Sequence, residues 1–320
     1  MAPPSADVMT RPQASTSSPR PVMPVRKRKR WRGWVPYLCL APAALGIIVF
    51  VAWPIVTVFQ YSFQTYNPTQ PWVNKFVGLQ NFINIFTSDD KFWGSLWVSL
   101  KWVVVQVVFQ LVIGLGLALI LNRVFRARGL FRAFIFAPWA VAGVVVTATW
   151  TLMFQPVSGM INTVLTSVGL IHSPILWLSD PNLTFWSVSL AELWRGVPFF
   201  TIMLLAGLQS IPGDLYESAS IDGAGRTQTF WRVTLPLLKD TIVLATLLRG
   251  VWEFNNVDVI YTMTGGGPGD TTTTLPVYVV NQAIHYHNFG YGSALSVVSF
   301  FLLLIFALVY LKLSNFGRGE

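Results

Sequence analysis

Six long runs of apolar residues restrict the folds open to this chain more than any other feature. Each run is long enough to cross a bilayer, which takes about 20 residues in an α-helix. Backbone polar groups find no water inside lipid, so runs of this kind have to form helices. The sequence therefore predicts an all-α integral membrane protein with about six transmembrane helices. The runs cover residues 34–59, 97–121, 133–154, 184–208, 238–262 and 291–313.

The composition agrees with a membrane protein and disfavours other classes. Hydrophobic residues make up 53% of the chain and charged residues 11%, against about 25% charged in an ordinary soluble domain. The formal net charge of +9 is compatible with nucleic-acid binding, but eight of the 22 Lys and Arg residues lie before Gly33 and few of the others cluster. We therefore expect membrane lipid around the chain and no nucleic acid as a partner.

The first apolar run has two interpretations. Residues 1–25 are rich in Pro, Ser and Thr and are expected to be disordered, and the basic cluster 26–30 follows them. A cleaved signal peptide would explain a basic cluster before an apolar run, but its apolar core has about 7 to 15 residues. The run from Trp34 to Phe59 is longer than that. We interpret it as an uncleaved first transmembrane helix.

The basic residues between the runs predict the orientation, because Lys and Arg concentrate in cytoplasmic loops. Lys75 and Lys91 are the only Lys or Arg residues in the loops 60–96, 155–183 and 263–290. The N-terminal tail, the loops 122–132 and 209–237 and the C-terminal tail are basic. This alternation predicts that both termini lie in the cytoplasm. The resulting regions are a disordered basic cytoplasmic tail at 1–33, a transmembrane domain at 34–313 and a cytoplasmic tail at 314–320.

The chain carries no residue pattern that is typical of an enzyme or a metal site. The single cysteine, Cys39, excludes an internal disulfide, and the three histidines lack metal-ligand spacing. No Gly-x-x-x-x-Gly-Lys-Ser/Thr is present, and the glycine-rich stretch 265–269 lacks the lysine that a phosphate loop needs. We therefore predict no catalytic residue, no metal and no cofactor bound by this chain.

The long polar interruption between the fourth and fifth runs, residues 213–236, is the most specific signal. Its pattern predicts two short helices joined by glycines, because Gly223 and Gly225 allow a sharp reversal. Asp214 is predicted to cap the first short helix, with Glu217 three residues later as its capping-box partner. A short helix of this kind, lying along the membrane surface, is suited to docking on another protein.

The residues of this polar interruption resemble a known family. Glu217-Ser-Ala-x-x-Asp-Gly-Ala224, followed by Phe230-x-x-Val-x-Leu-Pro236, is similar to the "EAA" loop of binding-protein-dependent ABC importer permeases. Ser218 stands where that family has Ala. Further matches occur in the same order along the chain, and together they resemble the maltose-permease-like, carbohydrate-uptake branch. These matches are 76–82, 159–162 and 262–268.

The resemblance implies a role for this loop, which we call the coupling loop, together with a set of partners and a location in a bacterial-type cell (inner) membrane. The loop would form the coupling helix that enters a groove of a cytoplasmic ATPase, where Glu217 meets a basic residue and Gly223 makes the bend. An alternative role for Glu217, compatible with the first, is to cap its own helix. The implied partners are a second permease subunit, two ATP-binding subunits that use ATP-Mg, an extracytoplasmic solute-binding protein and a sugar. The coupling residues carried over are Glu217, Ser218, Ala219, Asp222, Gly223, Ala224, Leu235 and Pro236.

Polar residues inside the fourth and fifth runs are candidates for the substrate pathway, because ionisable groups are costly within a membrane. Glu192 and Glu253 are each nine residues from the outer end of their run, about 13 Å at 1.5 Å per residue, so the two runs should bring their polar groups into one layer. Planar hydrogen-bonding groups and aromatic faces suit a sugar. The candidates are Glu192, Trp194, Arg195, Arg249, Trp252, Glu253, Asn255, Asn256, Asp258 and Tyr261.

Two alternatives remain for these residues and for the protein. Arg249 with Glu253 and Glu192 with Arg195 have the spacing of intrahelical ion pairs, which would only hold the bundle together. The two arginines would also make the pathway net positive, which leaves a glycerol-phosphate compound open as an alternative to a di- or oligosaccharide. A secondary transporter working without ATP is a further alternative, although no internal repeat supports it.

Overall fold

The computed structural model describes residues 35–123 and 125–314, and about three quarters of these are helical. The chain divides into two compact units, Met1–Ala52 and Trp53–Glu320. The tail predicted at 1–33 lies outside the described residues, as does the tail predicted at 314–320 apart from Ser314.

The described part of the first unit is helical throughout. Helix α1 (Val35–Ile47) is followed by a π-helical turn, Ile48–Ala52. Its apolar side chains are exposed, Leu38 at 75% and Phe50 at 79%. A helix that is apolar on all sides is typical of a membrane span, as the sequence predicts for this segment.

The second unit contains fourteen helices among its described residues and one small sheet. Strands β1 (Gln64–Thr65) and β2 (Lys75–Phe76) pair antiparallel, with Gln64 opposite Phe76. A 3₁₀ turn covers Pro71–Val73, and π-helical turns cover Phe230–Thr234 and Asn281–His285. The helices are α2 (Trp53–Ser62), α3 (Gln80–Thr87), α4 (Asp90–Asn122), α5 (Arg128–Ala140), α6 (Gly143–Met153), α7 (Met160–Ser167), α8 (Pro181–Ser210), α9 (Gly213–Ile221), α10 (Arg226–Thr229), α11 (Leu235–Leu237), α12 (Lys239–Phe254), α13 (Asp258–Thr264), α14 (Leu275–Val280) and α15 (Phe289–Ser314).

Four helices in the described residues are long and apolar enough to cross a membrane, or five if one bent pair counts as a span. The all-α membrane fold is therefore confirmed, whereas the count of six is not. The bent pair is α5 with α6, whose axes differ by 95°. The four single helices are Pro36–Ser62, Asp90–Asn122, Pro181–Ser210 and Phe289–Ser314.

The third and fifth apolar runs are broken, which corrects the prediction of one helix over 133–154 and one over 238–262. In the third run, Val141 and Ala142 adopt extended backbone between α5 and α6. In the fifth run, α12 ends at Phe254, and the Asn255 side chain donates to the carbonyl of Val251 at 2.8 Å. Asn side chains compete for backbone groups in this way, and so favour helix ends over helix interiors.

Helices α4 and α8 pack closely along small residues. A Cβ added at Gly114 would lie 2.6 Å from the Cβ of Phe200. Ala118, one turn further along α4, is fully buried in an apolar cluster with Phe200 and Leu204. The spacing of these small residues therefore serves close helix packing, and it brings the polar residues of α4 against those of α8.

Candidate functional site

A cavity of about 610 Å³ lies where the two broken runs meet the unbroken helix α8. The break between α5 and α6 borders it with Trp139 and Val141, and the break between α12 and α13 borders it with residues 255–257. Interrupted helices are a common way to build substrate sites within membranes. The lining residues are Trp139, Val141, Glu192, Arg195, Arg249, Trp252, Glu253, Asn255, Asn256, Val257 and Asp258.

Ion pairs connect the charged lining residues of α8 and α12. Nη2 of Arg249 lies 2.8 Å from Oε1 of Glu192 and 2.7 Å from Oε1 of Glu253. Nε of Arg195 donates to Oε2 of Glu192 at 2.9 Å. The side chains of Glu192, Glu253 and Arg249 are almost fully buried. The prediction that Glu192 and Glu253 share one layer is confirmed, as are both intrahelical ion pairs.

Three residues of α4 complete this network, and the sequence analysis missed them. Gln110 accepts from Nε of Arg249 at 2.7 Å and donates to Glu253 at 2.9 Å. Gln106 accepts from Gln110, and Trp102 Nε1 donates to Oε2 of Glu253 at 3.0 Å. Gln106 and Gln110 are two amides four residues apart within an apolar run, which is a signal that could have identified this face of α4.

Eight of the ten predicted pathway residues line the cavity. The remaining two lie elsewhere. Trp194 packs edge-on against Trp150 at 6.2 Å between ring centroids, and the hydroxyl of Tyr261 lies 3.2 Å from Nε2 of His285. Trp139, which the sequence analysis did not select, supplies an aromatic side chain opposite the broken fifth run and is 52% exposed.

The charges of the cavity do not give it the net positive character that the sequence suggested. Arg249 contacts both glutamates, and Arg195 contacts Glu192. Two arginines, two glutamates and Asp258 line the cavity. With all of these groups ionised, the formal sum is one negative charge. The expectation of a net positive pathway is therefore wrong, because the carboxylates outnumber the guanidinium groups.

The coupling loop contains the two short helices that the sequence predicts, α9 and α10, joined near the glycines. Gly223 has a φ of +76°, in the left-handed region, whereas Gly225 is extended with a φ of −70°. Only Gly223 therefore needs the conformational freedom of glycine. After α10, a π-helical turn and α11 lead into α12.

The start of α9 differs from the prediction. The helix begins at Gly213 behind Pro212, so Asp214 lies inside the first turn and caps nothing. The capping box of Asp214 with Glu217 is therefore wrong. The physical reason is that Pro212 has the extended backbone of the N-cap position, with a φ of −58° and a ψ of 135°. Glu217 is left exposed, without a capping contact to its own helix.

Exposed side chains cover much of the coupling loop. Ile221, the last residue of α9, is 86% exposed, and Trp231 in the π-helical turn is 62% exposed. The loop is held internally by a contact of 3.3 Å between the hydroxyls of Tyr216 and Thr234. The loop thus has its own internal contacts and presents apolar and acidic side chains outward.

Sequence comparisons place this architecture among transporters. Residues 110–315 match the family model described as the binding-protein-dependent transport system inner membrane component. The trehalose/maltose transport system permease protein MalF of Thermococcus litoralis is 39% identical, with 88% of this chain and 94% of that protein covered. The sulfoquinovosyl glycerol transport system permease protein SmoG of Agrobacterium fabrum is 35% identical over 89% of this chain and 94% of its own.

A comparison of structures agrees at the level of the fold. The bacterial alginate ABC transporter, crystallised in complex with an alginate pentasaccharide-bound periplasmic protein, matches with a TM-score of 0.74 and 21% identity. The match covers 88% of this chain and 94% of the other. Together with the family match and the sequence relatives, these findings show that the chain belongs to the family of inner membrane components of binding-protein-dependent transport systems.

Proposed function

We propose that this chain is a permease subunit of an ATP-driven ABC importer and that it forms half of the translocation pathway for a di- or oligosaccharide. The observation that carries the proposal is the cavity between two helix breaks, lined by amides and aromatic rings. Asn255 and Asn256 offer planar donors and acceptors, and Trp139 and Trp252 offer apolar faces. Sugars need both kinds of contact. The relative from Thermococcus litoralis, named for trehalose and maltose, supports this substrate class.

The coupling loop would transmit the energy of ATP hydrolysis. Its first helix exposes Leu215, Glu217 and Ile221, which supply an apolar and acidic surface for a groove on a partner. In this proposal the chain itself has no ATPase site, and ATP-Mg is bound and hydrolysed by two partner subunits. Leu235 and Pro236 stand where the loop enters α12 and would fix its direction.

Further partners follow from the same proposal. A second, similar permease would supply the other half of the pathway, and an extracytoplasmic solute-binding protein would deliver the sugar. The alginate transporter, which shares the fold, was crystallised with a periplasmic protein. The chain would cross the cell membrane several times, with both termini in the cytoplasm. A secondary transporter without ATP has no support from the family match.

A glycerol-phosphate compound is the alternative substrate. In the sequence, the positive charges of Arg195 and Arg249 are what suggests an anionic substrate. Both guanidinium groups contact buried Glu192, and this pairing removes the argument.

The experiment that tests the proposal is reconstitution of the chain with the second permease, the ATP-binding subunits and the solute-binding protein encoded beside it. We expect trehalose or maltose, with the binding protein, to stimulate ATP hydrolysis. Glu217→Lys and Ile221→Asp should abolish this stimulation by weakening docking of the ATPase. Ser218→Ala restores the residue that the family has at this position and serves as the matched control, with activity near wild type.

Two outcomes would overturn the proposal at different points. If no ATP-binding subunit purifies with the chain, then the coupling role is wrong. If the ATPase binds but no uncharged sugar stimulates it, while a glycerol-phosphate compound does, then the substrate class is wrong and the alternative holds.

A further inference from the structure

Asp258 is the one carboxylate of the cavity lining that takes part in no ion pair among the described residues. It is the first residue of α13, directly after the break at 255–257, and its side chain is exposed. The other two carboxylates of the lining, Glu192 and Glu253, are buried and paired with arginine.

The neighbouring arginine, Arg195, forms its ion pair with Glu192 and not with Asp258. Nη1 of Arg195 and Oδ2 of Asp258 both lie near position 143, at the start of α6, at 2.9 Å and 4.0 Å from a Cβ built on Gly143. Arg195 donates through its Nε to Glu192 at 2.9 Å, and its distance to Asp258 exceeds that of an ion pair. The three carboxylates of the lining outnumber its two guanidinium groups, and Asp258 is the carboxylate that Arg195 attracts only from beyond ion-pair distance.

From this arrangement we propose that Asp258 makes the cavity selective for uncharged sugars by repelling anionic ones. The inference rests on the proposed function and deepens it, since it concerns the substrate of the same site. A carboxylate accepts hydrogen bonds from sugar hydroxyls as readily as an amide oxygen does. A uronate, sulfonate or phosphate in the cavity would instead meet a like charge, and like-charge contacts are how binding sites reject wrong partners.

The test measures sugar binding to the assembled permease and ATPase complex without the solute-binding protein, which would add its own selectivity. Trp139 and Trp252 line the cavity, so tryptophan fluorescence can report occupancy. The probes are maltose and the disaccharide of the same size in which one glucose is replaced by glucuronate. We expect the wild type to bind maltose at least about tenfold more tightly than the uronate, a difference of about 1.4 kcal/mol.

Variants then locate the source of this preference. Asp258→Asn should reduce the ratio of the two dissociation constants about tenfold, and Asp258→Glu should keep it near the wild-type ratio. Asp270→Asn is the matched control: it removes one negative charge from an exposed side chain outside this cavity and should leave the ratio unchanged. Added salt should weaken the wild-type preference, because salt screens exposed charges.

The possible outcomes distinguish the role of Asp258 from the proposed sugar function. The role of Asp258 would be overturned if Asp258→Asn left the ratio of dissociation constants unchanged, or if Asp270→Asn lowered that ratio equally. The proposed sugar function would remain intact in either case. Equal binding of both probes by the wild type would overturn selectivity for uncharged sugars. Failure of maltose, trehalose and maltotriose to bind at all would overturn the proposed sugar function and, with it, this inference.

Discussion

Arg249 on α12 donates to Glu192 on α8 over 2.8 Å, although 57 residues separate them in the sequence. The same nitrogen lies 2.7 Å from Glu253, one turn further along α12. Its Nε donates to Gln110 on α4. A single guanidinium group thus joins three helices at the depth of the cavity. It is the ion-pair partner of Glu253 and shares Glu192 with Arg195.

The first prediction concerns the loss of this group. Arg249→Met should destabilise the protein by about 3 to 5 kcal/mol, because breaking a buried pair leaves an uncompensated buried charge. Two carboxylates, Glu192 and Glu253, would lose their shared partner. The measurement is thermal unfolding of the purified complex, followed by the loss of its near-ultraviolet circular dichroism signal.

The control for this prediction is the exposed ion pair between Lys91 and Asp270. Both of its side chains are more than half exposed, and exposed pairs contribute about 0 to 1 kcal/mol. Lys91→Met should therefore leave the unfolding temperature almost unchanged. Equal effects of the two substitutions would contradict a stabilising role of the Arg249 network.

The sequence predicts this network in part. Ion-pair spacing within the fourth and fifth runs predicts the contacts of Arg195 with Glu192 and of Arg249 with Glu253, and depth counting predicts that the two runs share a layer. The contact between Glu192 and Arg249 depends on how each helix is oriented about its own axis. That orientation is set by packing against neighbouring helices, which the sequence does not show. The amides of α4 were missed for the same reason, since a polar residue in an apolar run does not reveal which neighbour it faces.

The helix breaks are the features that hydropathy could not reveal. Val141 and Ala142 are apolar, so the third run looks continuous although its two halves differ in direction by 95°. In the fifth run, Asn255 and Asn256 are polar residues that suggest substrate contacts, and the Asn255 side chain also bonds to the carbonyl of Val251 where α12 ends. The coupling loop was predicted more fully because its turns depend on local residues such as Gly223.

A second prediction tests the packing of α4 on α8 with two glycines of the same helix. Gly114→Ala places a Cβ 2.6 Å from Phe200 and 3.1 Å from the backbone nitrogen of Thr201. Overpacking of this kind costs about 1 to 3 kcal/mol. Gly116 has no atom within 4 Å of its added Cβ, so Gly116→Ala should stabilise the helix by about 0.5 to 1 kcal/mol. Opposite shifts in unfolding temperature are expected, and shifts of the same sign would contradict the close contact.

A third prediction concerns Asn162, whose stretch 159–162 belongs to the family resemblance. Its buried amide nitrogen donates to the carbonyls of Pro156 and Ile175, and its oxygen accepts from Trp177 Nε1 at 2.8 Å. Asn162→Asp keeps the size and the acceptor but removes both donated bonds, which leaves two carbonyls facing a carboxylate.

We expect Asn162→Asp to cost about 1 to 3 kcal/mol, the range for a buried polar group left unsatisfied. Asn182→Asp is the control, because Asn182 is exposed in the first turn of α8 and an acidic residue is favourable at that position. Thermal unfolding of both variants is the measurement. Loss of stability in the control alone would show that the buried amide of Asn162 does not stabilise the segments around Pro156 and Ile175.

The last prediction uses the two glycines of the coupling loop, which differ in backbone conformation but not in surroundings. A Cβ at Gly223 or at Gly225 meets no atom within 4 Å, so sterics with neighbours cannot distinguish them. The φ of Gly223 is +76° and that of Gly225 is −70°, and a side chain in the left-handed region costs about 1 to 2 kcal/mol. Gly223→Val should therefore displace the bend and abolish sugar-stimulated ATP hydrolysis, with membrane insertion intact, whereas Gly225→Ala should retain most of it. Equal activity of the two variants would contradict the role of the bend in coupling, because the backbone strain falls on Gly223 alone.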